Sequence, residues 1–210
     1  MKQKKQMFGA HSFGTYRQCV HDGMKRVGNF YPVDSFNASH EMLNGKNGWV
    51  ILDTHILFNV EVEVPDDIDS ILIDPVSDGY PPEWKQMDRI VKYIDRYAPV
   101  LISCIGAHGR TGTVMAAYQG LYMEDGDPIE WVRREHCESA VESVRQMKFV
   151  YEYTGLKPSD KIRKEILAEE RAAKRIKEMM RAYSKHETYF YGSGSEFVDM
   201  DDFYVDGDYR

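Results

Sequence analysis

Val100-Leu-Ile-Ser-Cys104-Ile-Gly-Ala-His-Gly-Arg110-Thr-Gly-Thr113 decides how this chain folds. Val100 to Ser103 is a short apolar run of the kind that fills a buried central strand. Helix character returns at Arg110-Thr111, so the strand must pass into the helix through a tight glycine-containing loop. Small residues let consecutive backbone N–H groups turn inward, and the helix that follows directs its positive end at the same point. The result is an anion cradle beside Cys104. Such a field favours the thiolate, the nucleophilic form of the thiol. Arg110 adds a planar donor fork able to hold two phosphate oxygens and follow the group as it becomes trigonal-bipyramidal. The bland alternative, a buried Cys104 at a strand end and a surface Arg110, leaves the glycines and the following helix unexplained.

Outward from this loop, helices and strands alternate. Trp49 to Phe58 (WVILDTHILF) and Ser70 to Ile73 (SILI) read as strands. From Pro82 to Tyr97, apolar residues recur at three- and four-residue steps between two prolines, which predicts an amphipathic helix. Thr111 to Met123 is a helix ending at the acidic turn 124–127, where Asp127 caps the next helix with Pro128 in its first position. Ser139-Ala-Val-Glu142 has the form of a capping box for a further helix that stops at Gly155. Residues 160–187 form a long charged helix, with Ile162, Ile166, Ala173, Ile176, Met180 and Tyr183 as one narrow stripe expected to lie on its own domain. The expected fold is α/β, a mainly parallel central sheet flanked by helices, with this charged C-terminal helix and an acidic tail.

The 210 residues suit one domain with appendages. At 42% hydrophobic and 29% charged, wholly disordered, collagenous and fibrous classes are excluded. No apolar run approaches the roughly 18–20 residues of a membrane span, and the start, MKQKKQMFGAHSFG, has no apolar leader core. An unprocessed chain in the cytoplasm, without membrane contact, is therefore expected. Net charge is −7, of which −5 falls in residues 192–210, a stretch without periodicity that reads as disordered. Residues 1–40 carry +4 but no nucleic-acid motif, and read as a solvated face. Cys19, Cys104 and Cys137 are an odd number at wide spacings. Neither a disulfide framework nor a paired-cysteine zinc site is expected, and Cys19 and Cys137 are taken as structural.

Cys104 to Arg110 with Thr111-Gly112 resembles the Cys-x5-Arg-Ser/Thr-Gly signature of protein tyrosine phosphatases, and the context resembles their dual-specificity branch. Asp74-Pro-Val-Ser-Asp78-Gly-Tyr-Pro-Pro82 is similar to that branch's general-acid loop, especially in the regenerating-liver phosphatases. Ala140 to Phe149 resembles the helix packed behind the loop. The resemblance spans about residues 48–157, and the loop's spelling is most like small phage-type or prokaryotic members. Two positions depart from the pattern. Ser103 stands where His usually precedes the cysteine, and Ala107 stands where Gly is usual, with Gly106 one place earlier. A positive φ at Ala107 would cost roughly 1 kcal/mol.

The domains expected are an N-terminal extension at 1–40, a phosphatase domain at 41–157, the charged helix at 158–191 and the tail at 192–210. The resemblance implies a nucleophile at Cys104 and a cysteinyl-phosphate intermediate. It implies substrate binding by Ile105, Gly106, Ala107, His108, Gly109 and Arg110, and thiolate stabilisation by Thr111. Asp78 is the expected general acid because its flanking Gly79 and Pro81-Pro82 form a turn able to hold a carboxylate over the pocket. Asp74, directly after SILI, is its rival. Gln146 resembles a position that orients the hydrolytic water, with a helix-surface role as the alternative. His108 is expected at the pocket mouth; without a fixed cation there or at Ile105, a phosphoinositide substrate is disfavoured. No cofactor or metal is expected. The expected partner is a phosphorylated protein carrying phosphotyrosine, with phosphoserine and phosphothreonine as further substrates. Alternatives are an RNA 5′-triphosphatase, in which nucleic acid enters only as the phosphate-bearing substrate, a small-phosphoester phosphatase, a non-catalytic phosphate-binding module and, more weakly, a rhodanese-like sulfurtransferase.

Overall fold

A computed structural model describes residues 19, 21–35, 38, 46–53 and 71–187. Its described strands are β1 (Phe30–Asp34), β2 (Gly48–Ile51), β3 (Ile71–Ile73) and β4 (Val100–Cys104). They form one parallel sheet in the order β1-β4-β2-β3. The last strand in sequence thus inserts between the first two, and all five of its residues are buried. That position explains why its sequence is apolar but for Ser103, where an exposed strand would alternate.

Residues 30–34 fall within the stretch expected to be an extension, yet they supply β1, with Phe30 and Val33 fully buried. Their pattern, Phe-Tyr-Pro-Val-Asp, is short and interrupted by proline, so nothing local marks it as a sheet member. It becomes one by pairing with β4, Phe30 opposite Val100 through Asp34 opposite Cys104. The expected strand continuation to Phe58 and the acidic tail lie outside the described residues.

The helices are α1 (Trp84–Tyr97), α2 (Gly109–Tyr122), α3 (Pro128–Glu135), α4 (Val144–Thr154) and α5 (Asp160–Glu187). In α1, Met87, Ile90 and Ile94 are fully buried, as their spacing predicts, each contributing roughly 1.5–3 kcal/mol through apolar burial. Asp127 caps α3, accepting from the Ile129 and Glu130 N–H groups at 2.9 and 3.1 Å. It also accepts from the Tyr151 hydroxyl and the Ser159 N–H, so this cap binds three helices together. Gly155 ends α4 in the left-handed conformation, φ 71°.

The start of α4 differs from expectation. Ser139 to Glu142 does not cap a helix, because Val141 stands at φ +61°, outside the helical region. Ser143 and Gln146 form the box four residues later, and α4 begins at Val144. The helix α2 is buried on almost every side, and at Gly112 it presses on the Ala140–Val141 backbone. A Cβ there would meet the Ala140 Cβ at 2.8 Å and the Val141 nitrogen at 2.9 Å. Gly112→Ala is accordingly expected to destabilise the fold by about 1–3 kcal/mol through overpacking, read as a lowered midpoint in denaturant unfolding. An unchanged midpoint would show that this contact relaxes freely.

The chain divides into two compact units after Ile166. In the first, Ile162 and Ile166 are buried, and Arg133 grips Glu165 through two hydrogen bonds of 2.7 and 2.9 Å. In the second, Ile176, Met180 and Tyr183 are exposed. Among the described residues, no helix is long and apolar enough to cross a membrane.

Candidate active site

The carboxyl ends of parallel strands are where open α/β sheets bind ligands, because loops and helix N-termini converge there. The loop Cys104–Gly109 leaves β4 at that end and runs into the N-terminus of α2. A cavity of about 230 Å³ opens over it, lined by Asp78, Cys104, Ile105, Gly106, His108, Gly109, Arg110 and Glu142.

At the floor, Cys104 is 2% exposed and its Sγ receives a hydrogen bond from the Thr111 hydroxyl at 3.1 Å. Ala107 is fully buried at φ +54°, so the loop does need the left-handed conformation at the position where the chain lacks glycine. Its strain is held by a turn, Ala107 N–H to Cys104 C=O at 3.2 Å, and by the His136 ring, whose Nε2 lies 2.7 Å from the Ala107 carbonyl. Burial drives the His136 pKa down to about 4, so the ring is neutral and donates that hydrogen bond. Ser103, in the place where His is usual, is fully buried and accepts from the Trp49 indole N–H at 2.9 Å.

Arg110 is buried, and its Nη1 donates to the Val76 carbonyl at 3.0 Å. Its Nη2 lies 3.2 Å from an Asp78 carboxylate oxygen. Its Nε has no hydrogen-bond partner among the described residues. A buried guanidinium donor left unpaired is costly, and an oxyanion in the cavity would satisfy it.

The two aspartates differ sharply. Asp74 is buried, held by Arg89 through three contacts of 2.8–3.0 Å and by the Gln86 amide at 2.8 Å. Those partners occupy it fully and anchor the end of β3 to α1. The Asp78 side chain is 83% exposed and reaches over the cavity to Arg110. Its turn is held from α4: the Ser143 hydroxyl donates to the Gly79 carbonyl at 2.7 Å, and the Gln146 amide donates to the Tyr80 carbonyl at 3.3 Å. Gln146 is fully buried, and its Oε1 accepts from the Glu142 and Ser143 N–H groups. It is thus engaged in capping α4 and tethering the Asp78 turn, outside the cavity lining.

Glu142 is the lining residue that sequence reasoning missed. Burial, and then the charge of Asp78, push its carboxyl pKa up, against the opposing pulls of Arg110 and the Gly109 N–H. Its one sequence signal, a place in Ser139-Ala-Val-Glu142, points to a helix cap and not to a pocket. His108, expected at the mouth, lines the cavity but turns its Nδ1 toward Cys137, at 3.3 Å.

Residues 62–153 match the family model described as PTP-SAK, Swiss Army Knife protein, DSP-PTPase phosphatase domain. Two uncharacterized proteins of Methanocaldococcus jannaschii are each 36% identical to the chain, over 148 and 142 residues. These alignments cover 67% and 65% of this chain, and 91% and 95% of the relatives. The chain belongs to the dual-specificity branch of the protein tyrosine phosphatase superfamily. Among solved structures, Tk-PTP in its active form is similar at a TM-score of 0.47 and 24% identity, over 61% of this chain and 91% of that one. Human DUSP28 is similar at a TM-score of 0.49 and 14% identity, again over 61% and 91%. The phosphatase domain therefore carries its Cys104–Arg110 loop inside the matched region, together with Asp78, Glu142 and Gln146.

Proposed function

We propose that this phosphatase hydrolyses phosphotyrosine, and phosphoserine or phosphothreonine, on proteins through a cysteinyl-phosphate intermediate. The observation that carries this reading is the convergence in one cavity of Cys104, the buried Arg110 with an unpaired Nε, and an exposed Asp78 reaching over both. Arg110 and the loop take the phosphate oxygens, and Cys104 Sγ attacks phosphorus in line as the bond to the leaving oxygen breaks. The phosphate takes over the guanidinium donors now shared with Asp78, and Asp78, entering this step protonated, gives its proton to the leaving oxygen and is left as a carboxylate. In the second step Asp78 accepts a proton from water, water oxygen bonds to phosphorus, and sulfur leaves as a thiolate that the Thr111 hydroxyl stabilises. Ile105, Gly106, His108 and Gly109 bound the phosphate, whereas Ala107 and Gln146 act behind it, shaping the loop and holding the acid's turn. No step of this chemistry calls for a metal or organic cofactor.

The test is a turnover assay on an aryl phosphate, a panel of phosphotyrosyl, phosphoseryl and phosphothreonyl peptides, and RNA bearing a 5′-triphosphate. Turnover of the peptides is expected. Preference for the RNA would move the substrate to RNA ends, and binding without turnover of any ester would make the domain a phosphate-binding module. Arg110→Lys is expected to fail on every ester, since a point charge cannot reproduce the bidentate fork. Wild-type rates in that variant would place the phosphate elsewhere.

A further inference from the structure

A second group of side chains adjoins the loop and shares one residue, His108, with the cavity lining. Cys19, His21, His108 and Cys137 each offer one ligand atom, and these atoms all lie within 4.8 Å of one another. They come from three distant stretches: the segment before β1, the phosphate loop, and the turn after α3. No metal is expected from the sequence because the cysteines are 118 residues apart; the fold closes that separation. His21 is placed by main-chain pairing to β1, its carbonyl accepting from the Asp34 N–H at 2.9 Å. Cys19 stands two residues before it in the sequence.

The ligand atoms lie close enough to surround one tetrahedral cation once the two sulfurs move apart by about half an ångström. Cys137 Sγ lies 3.2 Å from Cys19 Sγ and 3.3 Å from His108 Nδ1. Zinc bonds of about 2.3 Å to sulfur and 2.0–2.1 Å to nitrogen put ligand atoms roughly 3.3–3.8 Å apart. Both cysteines are free thiols. An independent sign comes from His21: its Nε2 is buried and has no hydrogen-bond partner among the described residues. Burying such an atom is costly unless something satisfies it. The His136 ring, 4.3 Å from that of His21, is already engaged with Ala107. The Ser139 N–H donates to Cys137 Sγ at 3.4 Å, the kind of outer contact that steadies a thiolate ligand.

The geometry points to a structural zinc site of two cysteines and two histidines, Cys19, His21, His108 and Cys137, that fastens the segment before β1 to the phosphate loop. Binding forms two sulfur–zinc and two nitrogen–zinc bonds, the two thiol protons pass to solvent, and no electrons move. Two thiolates balance the dication, so the closed site is neutral and suited to burial. Four protein ligands leave no open position, which makes the ion structural and not catalytic. Because His108 directly follows the strained Ala107, the ion holds the loop at its least favourable turn.

The full chain, purified reduced and without chelator, tests this independently of any phosphatase activity. Elemental analysis is expected to find one zinc per chain. Cobalt titration of the metal-free protein is expected to give the visible bands and thiolate charge-transfer absorption of tetrahedral coordination. Both signals should be lost in Cys19→Ser and in His21→Ala, and a strong chelator should lower the wild-type melting temperature. A reduced wild type that gives no tetrahedral cobalt spectrum would overturn the site, and this outcome needs no variant to fold. So would a spectrum unchanged in both variants, or a Cys19–Cys137 disulfide found by mass in the protein as isolated.

Discussion

A Cys104→Ser variant is expected to lose turnover by at least about a hundredfold, two tenfold steps of barrier, while it still binds phosphorylated ligand. The hydroxyl is a far weaker nucleophile than the thiolate, so the covalent step fails. Ligand binding survives because Arg110 and the small-residue loop hold the phosphate, and neither is touched by the exchange of sulfur for oxygen. Thr111, which now donates to sulfur at 3.1 Å, can donate to the serine oxygen instead. Steady-state rates on an aryl phosphate, paired with calorimetric binding of a phosphopeptide, separate the two effects. Residual activity above about one per cent of wild type would remove Cys104 from the covalent role, and loss of binding together with rate would mean that the variant had damaged the loop.

Asp78→Asn is expected to be selective where Cys104→Ser is not. A general acid matters in proportion to how much the leaving group needs a proton. Hydrolysis of phosphotyrosine and alkyl phosphates should therefore fall by roughly 10²–10⁴-fold, while an activated aryl ester with an acidic phenol is spared. Asp74→Asn should behave differently, since Asp74 is buried in a charged pairing with Arg89. Removing one partner of that pair weakens the junction of β3 with α1. Its cost should appear as lowered stability and a loss that does not depend on the leaving group. A set of aryl phosphates of graded phenol acidity, with thermal melts of both variants, distinguishes them. Should the two variants exchange behaviours, the acid is Asp74.

What could be read from the chain alone was whatever is local. The strand, loop and first helical turn around Cys104, Arg110 and Thr111 occupy fourteen consecutive residues, and short-range sterics and hydrogen bonding dictate their form without help from elsewhere. The Asp127 cap, the amphipathic face of α1 and the Gly155 stop are local in the same sense. Tertiary structure decided everything that depends on which distant segments meet. β1 is unremarkable until β4 inserts beside it, so residues 30–34 read as an extension. Asp74 and Asp78 look alike in the sequence, and only the fold brings Arg89 and Gln86, from a helix that begins beyond them, onto the first while the second faces Arg110. Val141 adopts a positive φ that no propensity of valine favours, which moved the helix start to Val144 and turned Glu142 into the cavity. Cys19 and Cys137, at opposite ends of the domain's sequence, become neighbours for the same reason. Local chemistry is written in adjacent residues, whereas a contact across a hundred residues exists only once burial of the common core has paid the entropy of closing the loop between them.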